Sequence, residues 1–115
     1  MRIFSSLLNG SRVNNLDADL FAEKINQHEN AVILDVRTND EYRSERIPNS
    51  ILIDIYKPDF LTNIEKLDRS KSYFVYCRSG NRSYMAASEM MKMGFESVFN
   101  LQNGIISWEG HVERG

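Results

Sequence analysis

The chain has 115 residues, 42% of them apolar and 26% charged, with a formal net charge of −2. These values fit one globular domain over residues 1–115, large enough for a core of its own without metal or disulfide staples. They lack the positive excess that phosphate backbones and anionic lipids attract, so neither nucleic acid nor a membrane is expected as a partner.

Apolar runs are short, as in Ile51-Leu52-Ile53, against the roughly 20 residues needed to cross a bilayer. The amino end, from Met1 to Leu8, carries one basic residue and too broken an apolar stretch for a secretory signal, which makes the cytoplasm the expected location. The one cysteine, Cys77, rules out an internal disulfide, and His28 and His111 are too far apart for zinc-ligand spacing. No metal and no organic cofactor is expected.

In chain order, Asp17 reads as the N-cap of a helix running towards His28, with Leu16 placed to staple against Phe21. Ala31-Val32-Ile33-Leu34-Asp35 is apolar almost throughout, as a strand buried on both faces would be. Thr38-Asn39-Asp40-Glu41 is a capping box that opens a short second helix. Ile51-Leu52-Ile53 suggests a further strand, and Phe60, Leu61, Ile64 and Leu67 recur at helical spacing. Tyr73-Phe74-Val75-Tyr76, aromatic and β-branched, is the clearest strand and ends at Cys77.

A helix is predicted from near Arg82. Tyr84, Ala87 and Met91 form its apolar stripe, Ala86, Met90 and Met93 widen it, and Gly94 caps it. Ser97-Val98-Phe99-Asn100-Leu101 is the last strand, and Trp108 is expected to pack the last helix on the sheet. Alternating strands and helices of this kind predict an α/β fold with a central parallel sheet flanked by helices on both faces.

Ligands of open parallel sheets bind beyond the carboxyl ends of the strands, where Cys77 lies. A lone cysteine after an apolar strand is ordinarily a small buried hydrophobe. Here, however, it opens the polar loop Cys77-Arg78-Ser79-Gly80-Asn81-Arg82-Ser83, whose glycine and successive backbone N–H groups suit an anion cradle. Residues 69–88 hold Arg69, Lys71, Arg78 and Arg82 and no acid, so positive charge gathers at the cysteine of an acidic chain. Flanking guanidinium groups and a helix amino terminus are expected to lower the thiol pKa and leave a thiolate nucleophile.

Arg78 is expected to meet an anionic substrate. Arg82 either does the same or pairs with a carboxylate such as Asp35. Ser79 and Ser83 read as hydrogen-bonding residues, since no histidine lies near in sequence to activate them. Asp40, Glu41 and Glu45 read as a solvated acidic face, His28 and His111 as surface residues, and Met85, Met90, Met91 and Met93 as core filling.

Asp35-Val36-Arg37, Glu41-Tyr42, Ile47-Pro48, the loop from Tyr76 to Ser83 and Asn103-Gly104-Ile105-Ile106-Ser107-Trp108 together resemble the single-domain rhodanese-like sulfurtransferases. The resemblance implies a rhodanese-like three-layer fold and a catalytic Cys77 that carries sulfane sulfur as a persulfide. Arg78, Ser79, Gly80, Asn81, Arg82 and Arg37 would be substrate-binding, with Asp35 and Ser83 structural beside the site. The partners would be a small sulfur donor such as thiosulfate and a cyanide, thiol or protein acceptor. Two departures stand out. Glu45-Arg46 and Asn49-Ser50 flank Ile47-Pro48 where the family has Gly-His and Gly-Ala, and Asn103 replaces a usual glycine.

Two other functions share these features. A sulfur-carrier or protein-interaction module of the same fold needs the same cysteine. A cysteine-dependent phosphatase or arsenate reductase also sets a cysteine before a helix, but such phosphatases place the arginine six positions after the cysteine and a histidine just before it. Here Arg82 is five after, and Tyr76 precedes.

Overall fold

A computed structural model describes residues 13–115; the amino-terminal stretch read above lies outside them. Five parallel strands, β1 (Asn14–Leu16), β2 (Ala31–Asp35), β3 (Ser50–Leu52), β4 (Ser72–Tyr76) and β5 (Ser97–Leu101), form one sheet in the order β1-β5-β4-β2-β3. The helices are α1 (Ala18–Gln27), α2 (Asn39–Ser44), α3 (Phe60–Glu65) and α4 (Asn81–Lys92), and a 3-10 turn spans Ile105–Ser107.

Side chains of a strand alternate between faces, and β4, buried along its whole length, feeds two separate cores. Tyr73, Val75 and Cys77 join Leu34, Ile64, Ala86, Ala87 and Met90 on the α3/α4 side. Phe74 and Tyr76 join Phe21, Leu101 and Ile105 on the other. Phe21 of α1 meets Phe74 edge-on at 5.5 Å and Trp108 at 6.1 Å, pairings worth about 0.5–1.5 kcal/mol beyond the area they bury. Trp108 therefore packs against the first helix, not the last.

The caps form as the sequence requires. The Asp17 carboxylate accepts the Leu20 N–H at 2.9 Å, and Thr38 and Glu41 complete a reciprocal capping box. Ile47-Pro48-Asn49-Ser50 is a tight turn closed by the Ser50 N–H on the Ile47 carbonyl at 3.2 Å. Asn49 takes φ 67°, the left-handed geometry that a turn of this kind asks of its third residue, so asparagine does there what the family's glycine does. Asn103 needs no such geometry: among the described residues Asn49 is the one non-glycine with positive φ.

Helix α4 is rotated relative to its predicted stripe. Its buried residues are Ser83, Ala86, Ala87 and Met90, while Tyr84 is 39% exposed. Packing decides the face: Ala86, Ala87 and Met90 meet Tyr73, Val75 and Cys77 in one core, and Ser83 on the same side bonds the cysteine. Met85, on the outer face, is 62% exposed rather than core. In α3, Phe60 and Ile64 are buried but Leu61 is exposed, and Leu67 lies past the helix end. His28 is half-buried, its ring edge-on to Phe74 and Phe99. Among the described residues no helix is long and apolar enough to cross a membrane.

The order β5-β4-β2-β3 places a reversal of chain direction across the sheet between β4 and β2. From β2 the chain moves one way to β3, and from β4 it moves the other way to β5. The carboxyl ends of β4 and β2 lie side by side there, with Asp35 in register with Tyr76. A crevice at such a reversal is the usual ligand position in a parallel sheet.

Candidate active site

Cys77 leaves β4 at this crevice, 1% exposed, at the floor of the loop that leads into α4. Its Sγ accepts the Gly80 N–H at 3.1 Å, the Ser83 N–H at 3.4 Å and the Ser83 hydroxyl at 3.3 Å. Burial is the largest single influence on the thiol and pushes its pKa up. The Ser83 hydroxyl and the N–H groups of Ser83, Gly80 and Ser79 together outweigh it, and the net shift is downward. The expected lowering is present, but its cause differs from expectation: it comes from loop donors, with no guanidinium among the principal causes.

Two glycines let the loop close. Gly80 has φ 104°, and a Cβ on it would lie 1.9 Å from the Gln102 carbonyl oxygen. Gly104 has φ 73°, and its Cβ would lie 1.9 Å from the Arg78 carbonyl oxygen. The back of the loop thus leans directly on the backbone that follows β5, which no side chain there would permit.

Arg82 is paired with a carboxylate. Its Nη1 and Nη2 donate to the two carboxylate oxygens of Glu41, each at 2.9 Å, and its guanidinium sits 5.6 Å from the Tyr56 ring centroid. Bidentate pairing of this kind is the strong form of an arginine–carboxylate contact. Chiefly because of it, the Glu41 carboxyl is held at about 2, with Thr38 N–H adding to the effect and burial opposing it. Arg82 therefore has a carboxylate partner, but the partner is Glu41 and not Asp35. Glu41 in turn is no part of a solvated face: it braces α2 to the start of α4 across the crevice.

Asp35 is fully buried and is matched by Arg37, whose Nη2 lies 2.7 Å from Oδ2 and also donates to the Glu45 carbonyl at 2.6 Å. Arg37 lies 5.4 Å above the Tyr76 ring. The Tyr76 hydroxyl accepts the Ile47 N–H at 3.1 Å, which ties the end of β4 to the turn after α2. Arg78 and Ser79 are exposed, as is Asn81. Arg78 lines a cleft with Arg37, Asp40, Glu45 and Ile106 beside the loop.

The sequence signature of the rhodanese-like domain matches residues 17–111. The chain belongs to the rhodanese-like domain family. A sulfurtransferase of Allochromatium vinosum is 29% identical over 99 residues, which are 86% of this chain and 91% of that one. The thiosulfate sulfurtransferase GlpE of Coxiella burnetii is 35% identical over 80 residues, 70% of this chain and 73% of its own. Among solved structures, a rhodanese-related protein of Thermoplasma volcanium superposes with a TM-score of 0.75 at 31% identity, covering 87% of this chain and 97% of that one. With its one cysteine in the loop, this rhodanese-like domain has the equipment for rhodanese-type sulfur transfer.

Of the sequence-predicted residues, Cys77, Ser79, Gly80 and Ser83 meet at the sulfur. Arg78 and Asn81 stand at the rim, while Arg37 and Arg82 are each engaged by a carboxylate. Glu41 was missed because its partner is 41 positions away. The signals in the sequence were the unopposed charge of Arg82 and the place of Glu41-Tyr42 among the residues that carry the family resemblance.

Proposed function

We propose that this rhodanese-like domain, acting as one unit over residues 1–115, transfers sulfane sulfur from thiosulfate to a thiol or cyanide through a persulfide on Cys77. The Cys77 thiolate attacks the outer sulfur of thiosulfate, the sulfur–sulfur bond of the donor breaks, and sulfite leaves with the electron pair. The acceptor then attacks the terminal sulfur of the persulfide, giving thiocyanate or an acceptor persulfide, and the thiolate returns. The lowered thiol pKa favours the thiolate, and the step is written without a general base.

The observation that carries this reading is the ring of donors on Sγ from Gly80 and Ser83. It stabilises a sulfur anion in place, which serves the thiolate before transfer and, with its neighbours, the persulfide after it. Arg78, exposed beside the loop, supplies the positive charge that attracts the donor. The phosphatase reading loses weight, because both Nη groups of the arginine it requires are paired with Glu41.

Steady-state formation of thiocyanate from thiosulfate and cyanide tests the proposal. Expected are ping-pong kinetics and no appreciable hydrolysis of an aryl phosphate. Loading of one sulfur without sustained turnover would favour the carrier. Cys77-dependent phosphate hydrolysis faster than sulfur transfer would favour the phosphatase.

A further inference from the structure

The donors on the inner side of the loop owe their direction to contacts on its outer side. In a trans peptide the C=O and N–H point in opposite directions, so a carbonyl held from behind aims the following N–H forward. Three carbonyls of the loop are held in this way. The Ile105 N–H donates to the Cys77 carbonyl at 2.9 Å, the Ile106 N–H to that of Arg78 at 3.3 Å, and the Asn100 Nδ2 to that of Gly80 at 3.2 Å. The N–H groups so aimed belong to Arg78, Ser79 and Asn81. That of Ser79 acts on the Cys77 sulfur, as this geometry requires. Those of Arg78 and Asn81 have no acceptor among the described residues.

Two of these anchors are main-chain groups of the 3-10 turn. The Gly80 carbonyl has two holders: the Tyr84 N–H, the first helical bond of α4, at 3.1 Å, and the side chain of Asn100 on β5, which is 1% exposed and whose Nδ2 also donates to Asn15 Oδ1 at 2.9 Å. Its own Oδ1 is buried and finds no partner among the described residues. An orphaned acceptor is costly, and an apolar residue in the strand would avoid it. Reversing the amide would set Oδ1 against two acceptors, so the orphan accompanies the donation to Gly80.

We propose that Asn100 is a positioning residue for sulfur transfer: by holding the Gly80 carbonyl together with the Tyr84 N–H, it helps to aim the Asn81 N–H at the place the terminal sulfur of a Cys77 persulfide occupies. The proposal rests on the persulfide reading above. Asn100 makes no bond to the thiolate and meets Gly80 at its carbonyl, not at the N–H that donates to Sγ, so its effect is expected to fall more on the second sulfur than on the first.

That division supplies the test. Asn100→Leu removes the side-chain donor while filling the space, and Asn100→Ser, whose hydroxyl is too short to reach Gly80, replaces it if the leucine variant does not fold. Each is loaded with thiosulfate, and persulfide is followed by intact mass and by cyanide-releasable sulfur, alongside the pH dependence of Cys77 alkylation and the thermal midpoint. Expected is a fall of about tenfold in kcat for thiosulfate:cyanide transfer and in persulfide lifetime, smaller than the loss on deleting an anion-hole donor outright because the N–H is loosened and not removed. The alkylation midpoint and the KM for thiosulfate should stay near wild type. Equal loss of persulfide stability and of the low thiol pKa would show general loosening of the loop and overturn the proposal, as would a variant with unchanged kcat and lifetime. Failure of the wild type itself to load sulfur would instead remove the persulfide reading.

Discussion

Replacing Ser83 with alanine deletes the one side-chain donor to the Cys77 sulfur among the described residues and little else. The residue is fully buried on the inner face of α4, and its hydroxyl lies 3.3 Å from Sγ, while its N–H and that of Gly80 remain in place at 3.4 and 3.1 Å. A hydrogen bond to a charged group contributes about 1.5–3 kcal/mol, and the lower end suits a soft acceptor at this distance. Since 1.36 kcal/mol corresponds to one pH unit, the Cys77 pKa should rise by about one unit in Ser83→Ala. With a single cysteine in the chain, thiolate absorbance or the pH dependence of alkylation reads the shift without ambiguity. The sign extends to stability. A thiol held below its ordinary 9.0 stabilises the folded state increasingly as pH rises from the folded to the unfolded pKa, and loses that contribution as pH falls through the folded value. Ser83→Ala should flatten this rise. An unchanged alkylation midpoint in a folded variant would refute the assignment of the low pKa to loop donors.

Glu41→Gln should remove an acid-sensitive part of stability: the wild-type carboxyl, lowered from 4.5 to about 2, stabilises the fold above its unfolded pKa and loses that contribution as pH falls between those values. The pair is partly solvated, so urea unfolding at neutral pH should show a loss of only about 1 kcal/mol, and the variant's stability should fall less steeply below pH 4.5. Gly80→Ala forces a Cβ to within 1.9 Å of the Gln102 carbonyl oxygen at φ 104°, and should lower the thermal midpoint by about 10 °C or more while abolishing transfer, as followed by calorimetry and thiocyanate formation. Arg78→Ala should raise the KM for thiosulfate several-fold with kcat nearly unchanged, the pattern of lost ground-state binding; a fall in kcat alone would place Arg78 in the transition state.

What could be read in the sequence was whatever local pattern dictates. Strands β2 and β4 announce themselves by unbroken apolar runs, the capping box of α2 by Thr38 and Glu41, and the site by a polar loop that follows a buried strand into a helix. Strand β1, only Asn14–Leu16, has no such pattern: it exists because the edge of β5 accepts it, and tertiary pairing decides such short segments. The exchange of Arg82 partners was equally hidden. Asp35 is taken by Arg37 two residues on, which the strand-end signature hints at, whereas Glu41 reaches Arg82 only once the crossover lays α2 beside the start of α4. Asn100 reads as an ordinary strand residue, and its bond to Gly80 follows from the parallel register of β4 with β5.

The most direct measurement of whether Cys77 carries sulfur is the intact mass of the protein after incubation with thiosulfate and removal of excess donor. The expected result is the gain of a single sulfur, discharged by cyanide with release of thiocyanate and absent in Cys77→Ser, whose fold should remain intact. A wild-type protein that gains no sulfur, or a Cys77→Ser variant that gains it equally, would contradict the persulfide mechanism.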